Sequence, residues 1–149
     1  MSYLDKIAEL TGKLNDRDAQ LQKQTDRLTL VIESCDLGIW DWNPQTNEVV
    51  FNDQWGRMLG YEPDEVEPCL DSWKLKVHPD DIGGCFEDIG KHIRGEIPMY
   101  SNTHRMKHKD GHWVIILDRG RIVERNEYGD PIRFTGTHTY MGKAKEENT

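Results

Sequence analysis

Cysteine is scarce in this chain. Three occur in 149 residues, Cys35, Cys69 and Cys85, an odd number without the paired spacing of a structural zinc site. That excludes a disulfide framework and points to free thiols in a reducing compartment, so a cytoplasmic setting is expected. No apolar run approaches the ~18 residues that a bilayer-spanning helix needs, and no signal-peptide pattern is visible, so no membrane insertion is expected. Basic residues are outnumbered, 19 Lys and Arg against 27 Asp and Glu, for a formal charge of −8. Nucleic-acid binding, which depends on basic patches that displace counterions, is excluded as an expectation. Gly-x-Ser-x-Gly, a phosphate loop and His-Glu-x-x-His are all missing, so the chain is not expected to be an enzyme.

Proline is also missing from residues 3 to 33, and there a long helical pattern takes hold. Ile7, Leu14, Leu21 and Leu28 recur every seven residues, with Leu4 and Ile32 at the companion positions. A seam two-in-seven wide is that of a coiled coil. The spacing predicts a homodimer through Leu4, Ile7, Leu14, Leu21, Leu28 and Ile32. The alternative is a helix lying on its own domain, with the leucines as one packing stripe. The expected division is a coiled-coil helix over 1–33, a domain over 34–142 and a charged tail over 143–149.

The domain is organised around two long strands between Met99 and Arg125, joined at Lys109-Asp110-Gly111, where Gly accepts positive φ. Residues 100 to 109 read as a solvated edge strand. The following strand is apolar on both faces. Trp113, Ile115 and Leu117 are assigned inward; Val114 and Ile116 then meet a helix or a partner chain. An earlier hairpin covers 37–51, with Trp40 and Trp42 inward. Asn52 is predicted to cap a helix over 53–59 that Gly60 ends. Short helical turns follow at 63–66 and 70–77. His78-Pro79-Asp80-Asp81 is read as opening a longer helix with Pro79 in its first turn, and Ile82, Phe86, Ile89 and Ile93 as the stripe facing the core. His92 falls off that stripe. A last strand over 132–141 places Ile132, Phe134, Gly136 and His138 on one face. The pattern gives an α+β domain: antiparallel strands, helices on one face, and residues 52–95 as a lid over the sheet.

A cavity between lid and sheet is a usual place for a small ligand. The candidate lining is Trp40, Trp42, Phe51, Leu59, Trp73, Phe86, Ile89, Trp113 and Leu117. It suits a small apolar or amphipathic molecule, unless the rings fill the core themselves. No cofactor is evident. His104 and His108 share a strand face, and His108 nears His112 across the turn. Without a third ligand these are read as solvated edge residues, and no metal is expected.

Together these stretches resemble a PAS sensory domain of the bacterial aromatic-rich type with its C-terminal PAC motif. The matching residues are Gly38-Ile39-Trp40-Asp41-Trp42, Leu59-Gly60-Tyr61, Trp73 followed by Val77-His78-Pro79-Asp80-Asp81, Lys109-Asp110-Gly111-His112-Trp113, Asp118-Arg119-Gly120, and Gly129 to Thr139 with Pro131, Arg133, Gly136 and Thr137. The resemblance implies a five-stranded antiparallel sheet in the order 2-1-5-4-3. It implies a sensory module beside a histidine kinase of a two-component system or a cyclic-di-nucleotide enzyme, with the heptad helix as the linker that pairs and transmits. The family's flavin-reactive Asn-Cys-Arg-Phe motif is absent. Tyr140-Met141-Gly142 stands where the family usually has Asp-Ile-Thr, which directs output to the N-terminal helix or to a separate partner. The expected function is a non-catalytic sensory and dimerisation module; the alternative is a free-standing protein that binds a small ligand.

Overall fold

The computed structural model describes residues 2–145. The chain divides into two compact units, the first ending at Cys35 and the second beginning at Asp36. Residue 1, and residues 146–149 of the expected tail, lie outside the described residues.

The first unit is one helix, α1 (Tyr3–Ser34), of 32 residues. Ser2 caps it: its hydroxyl accepts from the Asp5 amide, and the Asp5 carboxylate takes the Ser2 amide. This reciprocal arrangement satisfies two of the donors that a helix start leaves open. None of its described residues is buried. Leu4, Ile7, Leu14, Leu21 and Leu28 are exposed, Leu14 and Leu21 each to 61%, while Ile32 is half-buried.

The second unit is built on a five-stranded antiparallel sheet. Its strands are β1 (Gly38–Trp42), β2 (Val49–Phe51), β3 (Tyr100–Lys107), β4 (Trp113–Arg125) and β5 (Pro131–Lys143), in the order β2-β1-β5-β4-β3. The helices come between β2 and β3: α2 (Asp53–Arg57), a 3-10 turn at Pro63–Glu65, α3 (Asp71–Lys74) and α4 (Ile82–Ile93). Asn52 caps α2 by accepting the Trp55 amide at 3.0 Å, and Gly60 follows with φ +83°.

This helical insert is pinned to both edges of the sheet. Near β2, the Val49 amide donates to the Pro68 carbonyl and the Leu70 amide to Asn47. Near β3, the His78 amide donates to Arg105 and the Lys107 amide to Lys76. Both edge strands are thereby partly covered, so β3 is less open than an unprotected edge.

The start of α4 differs from expectation. The helix begins at Ile82, and Pro79 lies in the preceding turn, where the Asp81 and Ile82 amides both donate to the His78 carbonyl. Asp81 does not cap the helix. Its carboxylate accepts the Arg105 amide, Nε and Nη2 at 2.8, 2.9 and 2.8 Å. Charge-assisted, forked bonding to a guanidinium outweighs a single capping bond. The Arg105 guanidinium accordingly holds the Asp81 carboxyl down at about 2. The buried face of α4 is Cys85, Ile89 and His92, one position round from the expected stripe, and Phe86 stands at its rim.

The two faces of β4 are also exchanged relative to expectation. Val114, Ile116, Asp118 and Gly120 are buried, and Trp113, Ile115 and Leu117 lie on the opposite face. Both faces of this strand are apolar, so alternation alone cannot say which points inward. Its register settles it: Val114 pairs with Met106 and Ile116 with His104, both buried on β3.

Candidate functional site

Between the helices and the inner face of the sheet lies a cavity of about 30 Å³. Trp40 and Trp42 reach it from β1, Phe51 from β2, Trp55 from α2, Trp73 from α3, Ile89 from α4, and Phe134 and His138 from β5. Its walls are almost wholly apolar. The rings lock one another: Trp40 and Trp42 sit 5.3 and 5.7 Å from Phe134, and Phe51 lies 4.0 Å from Trp55, centroid to centroid. A single water needs roughly 10–15 Å³ of such space. The aromatic core is therefore nearly filled.

Five of the nine expected lining residues are on this wall: Trp40, Trp42, Phe51, Trp73 and Ile89. Leu59 is fully buried but lies off it. Phe86 is 37% exposed and meets Trp73 edge-on. Trp113 and Leu117, on the far face of the sheet, do not reach it; Lys107 lies over the Trp113 ring instead. Sequence reasoning missed Val49, Trp55, Leu70, Tyr100, Asp118, Phe134 and His138. Phe134 and His138 were legible as sharing a face, and the correct phase of β4 would have brought Asp118 with them.

The inward positions carry polar groups as well. Asp118 is buried and accepts from Trp40 Nε1 at 2.8 Å and from the Tyr100 hydroxyl at 3.4 Å. His138 Nε2 faces its second oxygen at 3.2 Å. His104, read from sequence as a solvated edge residue, is 2% exposed. Its Nε2 accepts from Trp73 Nε1 at 3.3 Å, which leaves Nδ1 to donate to Asn102 Oδ1 at 2.9 Å. Asn102 in turn donates to Asp88 at 2.7 Å. His92 is buried too: Nε2 accepts the Ile122 amide at 3.0 Å, and Nδ1 lies 3.1 Å from the Ile97 carbonyl. One nitrogen braces α4 against β4 and the other holds the loop that follows the helix.

His104, Asp118 and His138 each place a ligand atom within 4.8 Å of the others, a set able to hold a metal. Here their nitrogens and oxygens are largely committed to each other and to Trp40, Tyr100, Trp73 and Asn102, as a structural polar network would have them. Burial, with Asp118 nearby, pushes the Cys85 thiol up to about 12 and raises the Tyr100 hydroxyl as well. Neither is a nucleophile at neutral pH.

Burial also pushes His104 down to about 4, only partly opposed by Asp118. The folded value lies below the ordinary 6.5, so the neutral ring stabilises the fold fully above pH 6.5. That contribution is lost as pH falls toward 4. The melting temperature is expected to decline across this window. The His104 ring resonances, followed by NMR, are expected to stay in their neutral positions at pH 6; half-protonation near 6.5 would contradict the buried geometry.

A family model described as PAS fold matches residues 48–138. Among solved structures, the chain is similar to a sensory box histidine kinase/response regulator from Burkholderia thailandensis E264: 25% identity and TM-score 0.68, covering 78% of this chain and 85% of that one. It is also similar to the N-terminal domain of a diguanylate cyclase with PAS/PAC sensor from Marinobacter aquaeolei, at 22% identity and TM-score 0.61, covering 71% and 95%. A PAS domain from Colwellia psychrerythraea shares the fold at 14% identity and TM-score 0.62, covering 79% and 97%. No curated protein matches the chain.

Proposed function

Because the chain belongs to the PAS fold family, we propose that it is a non-catalytic sensory and dimerisation module that regulates a histidine kinase or a cyclic-di-nucleotide enzyme, in its own chain or in a partner. The observation that carries this reading is the pairing of a PAS domain with a capped 32-residue helix whose heptad leucines are exposed. A helix of mostly polar residues gains its stability from burying such a seam, and a second copy offers the matching one. The homodimer forms through Leu4, Ile7, Leu14, Leu21, Leu28 and Ile32. A change in the lid or sheet is passed to the helix as a change in register or crossing angle. The three free cysteines support a reducing, cytoplasmic setting. Among the described residues no helix is long and apolar enough to cross a membrane.

A signal molecule at the wall formed by Trp40, Trp42, Phe51, Trp73 and Ile89 would have to displace rings that now nearly fill the space, and that displacement would be the change passed on. Trp55 Nε1 and His138 Nδ1, on two further lining residues, have no hydrogen-bond partner among the described residues. Tyr140-Met141-Gly142 in place of the family's Asp-Ile-Thr supports the second reading, a free-standing binding protein.

Native mass spectrometry of the purified chain separates the two. A dimer is expected, and added mass would weigh its ligand. A monomer with added mass would favour the free-standing reading. A bare monomer would leave neither supported.

A further inference from the structure

We propose that the loop between β3 and β4 is a binding site for a divalent transition-metal ion, held by His108, Asp110 and His112. The ligand atoms of these three residues all lie within 4.8 Å of one another. The two imidazoles stack with centroids 4.4 Å apart and planes 19° from parallel. Their Nδ1 atoms address the same carboxylate oxygen, Asp110 Oδ1, at 3.2 Å from His108 and in direct contact with His112. The Asp110 amide donates to His108 Nδ1 at 3.2 Å, so that nitrogen is unprotonated, and a bound ion takes the place of this bond. Two imidazole nitrogens and one carboxylate oxygen are a ligand set that zinc, nickel and copper accept, with solvent completing the coordination.

The site is open to ions from solution. The Asp110 side chain is 63% exposed, and those of His108 and His112 are 24% and 26% exposed. It is also held in place before any ion arrives. The His108 ring lies against Gly60, where a Cβ would come 2.5 Å from its Cε1. The Lys109 amide donates to the Leu59 carbonyl at 2.9 Å, and the Lys109 ammonium pairs with Glu65. The His108 amide closes the loop onto the His112 carbonyl at 2.8 Å. Ligands ordered in advance reduce the entropy lost on binding. The buried trio around Asp118 differs in being shut off from solvent: His104 and His138 are 2% and 1% exposed. In sequence, the third ligand was concealed as the turn-forming Asp of Lys109-Asp110-Gly111.

An ion bound here cross-links the two ends of the hairpin loop, and binding the folded chain alone raises its melting temperature by mass action. The test is calorimetric titration of the full chain with Zn²⁺ alone, beside thermal melts with and without the ion. One Zn²⁺ per chain and a higher melting temperature are expected. Asp110→Asn and His112→Ala, both in the loop, should each weaken the affinity at least tenfold while leaving the metal-free melting curve in place. No Zn²⁺ uptake by the natural chain, or wild-type affinity in either variant, would overturn the proposal. The stoichiometry is read per chain, so a monomeric protein would contradict the proposed dimer without touching this result.

Discussion

Replacing Gly136 with valine is expected to abolish the folded domain. Gly136 lies opposite Gly120 in the β4–β5 ladder, and Trp40 lies across both. A Cβ on Gly136 would come 1.8 Å from the Arg119 carbonyl oxygen, 2.6 Å from the Gly120 Cα and 2.6 Å from Trp40 Cζ2. The first two are backbone atoms of the neighbouring strand, and no rotamer relieves them. The third belongs to a ring held by the 2.8 Å bond from its Nε1 to Asp118. Overpacking costs about 1–3 kcal/mol where side chains can yield, and more where they cannot. Here β4 and β5 would have to separate, in a domain whose whole stability is on the order of 5–15 kcal/mol. Gly136→Ala is expected to lose about 3 kcal/mol or more in urea denaturation, and Gly136→Val to show no cooperative transition. Gly84, exposed within α4 and with nothing within 4 Å of a built Cβ, is the control. Gly84→Ala should stabilise by up to about 1 kcal/mol. Similar losses at both positions would contradict this account of the sheet.

The second large effect concerns association rather than folding. Leu14→Glu combined with Leu21→Glu is expected to weaken the proposed dimer at least a hundredfold, by sedimentation across a concentration series. Both leucines sit at core positions of the heptad, and both are exposed in the single chain. Burying a leucine is worth roughly 1.5–3 kcal/mol, and the double variant removes four per dimer while adding four carboxylates to the seam. The melting of the second unit should be unchanged. A dimer that survives both substitutions would place the interface elsewhere.

Sequence proved most informative where one residue type answers one local demand. Asn52 was readable as a cap, and it is one; Gly60 as a helix stop, and its φ of +83° allows that. Trp40 and Trp42 were placed inward by alternation in a strand where only one face is bulky. The matching PAS stretches also implied the strand order. Reading failed where two answers satisfy the same local rule. Residues 113–117 are apolar at every position, so only pairing with β3 could choose the face, and that choice moved Trp113 and Leu117 off the cavity and Asp118 onto its wall. Pro79 and Asp81 have the composition of a helix start, but a salt bridge to Arg105, 24 residues on, claimed the carboxylate. His92 fell off the expected core-facing stripe, and His104 was read as a solvated edge residue. Their buried partners, the amide of Ile122 and the indole of Trp73, come from elements distant in the chain. Local pattern carries no information about such bonds.

The most direct measurement on the proposed pairing uses a residue already present. Cys35 stands seven places after Leu28, next in the series Ile7, Leu14, Leu21, Leu28, and it is an exposed free thiol. In a parallel, in-register pair the two Cys35 side chains face each other across the seam; in an antiparallel pair they stand at opposite ends of it. Mild oxidation of the natural chain, resolved on a non-reducing gel, reports association, direction and register together. A covalent dimer that disappears in Cys35→Ser is the expected result. A chain that stays uncrosslinked under the same oxidation, with Cys35 still open to alkylation, would contradict a parallel, in-register pair, and with it the proposed linker.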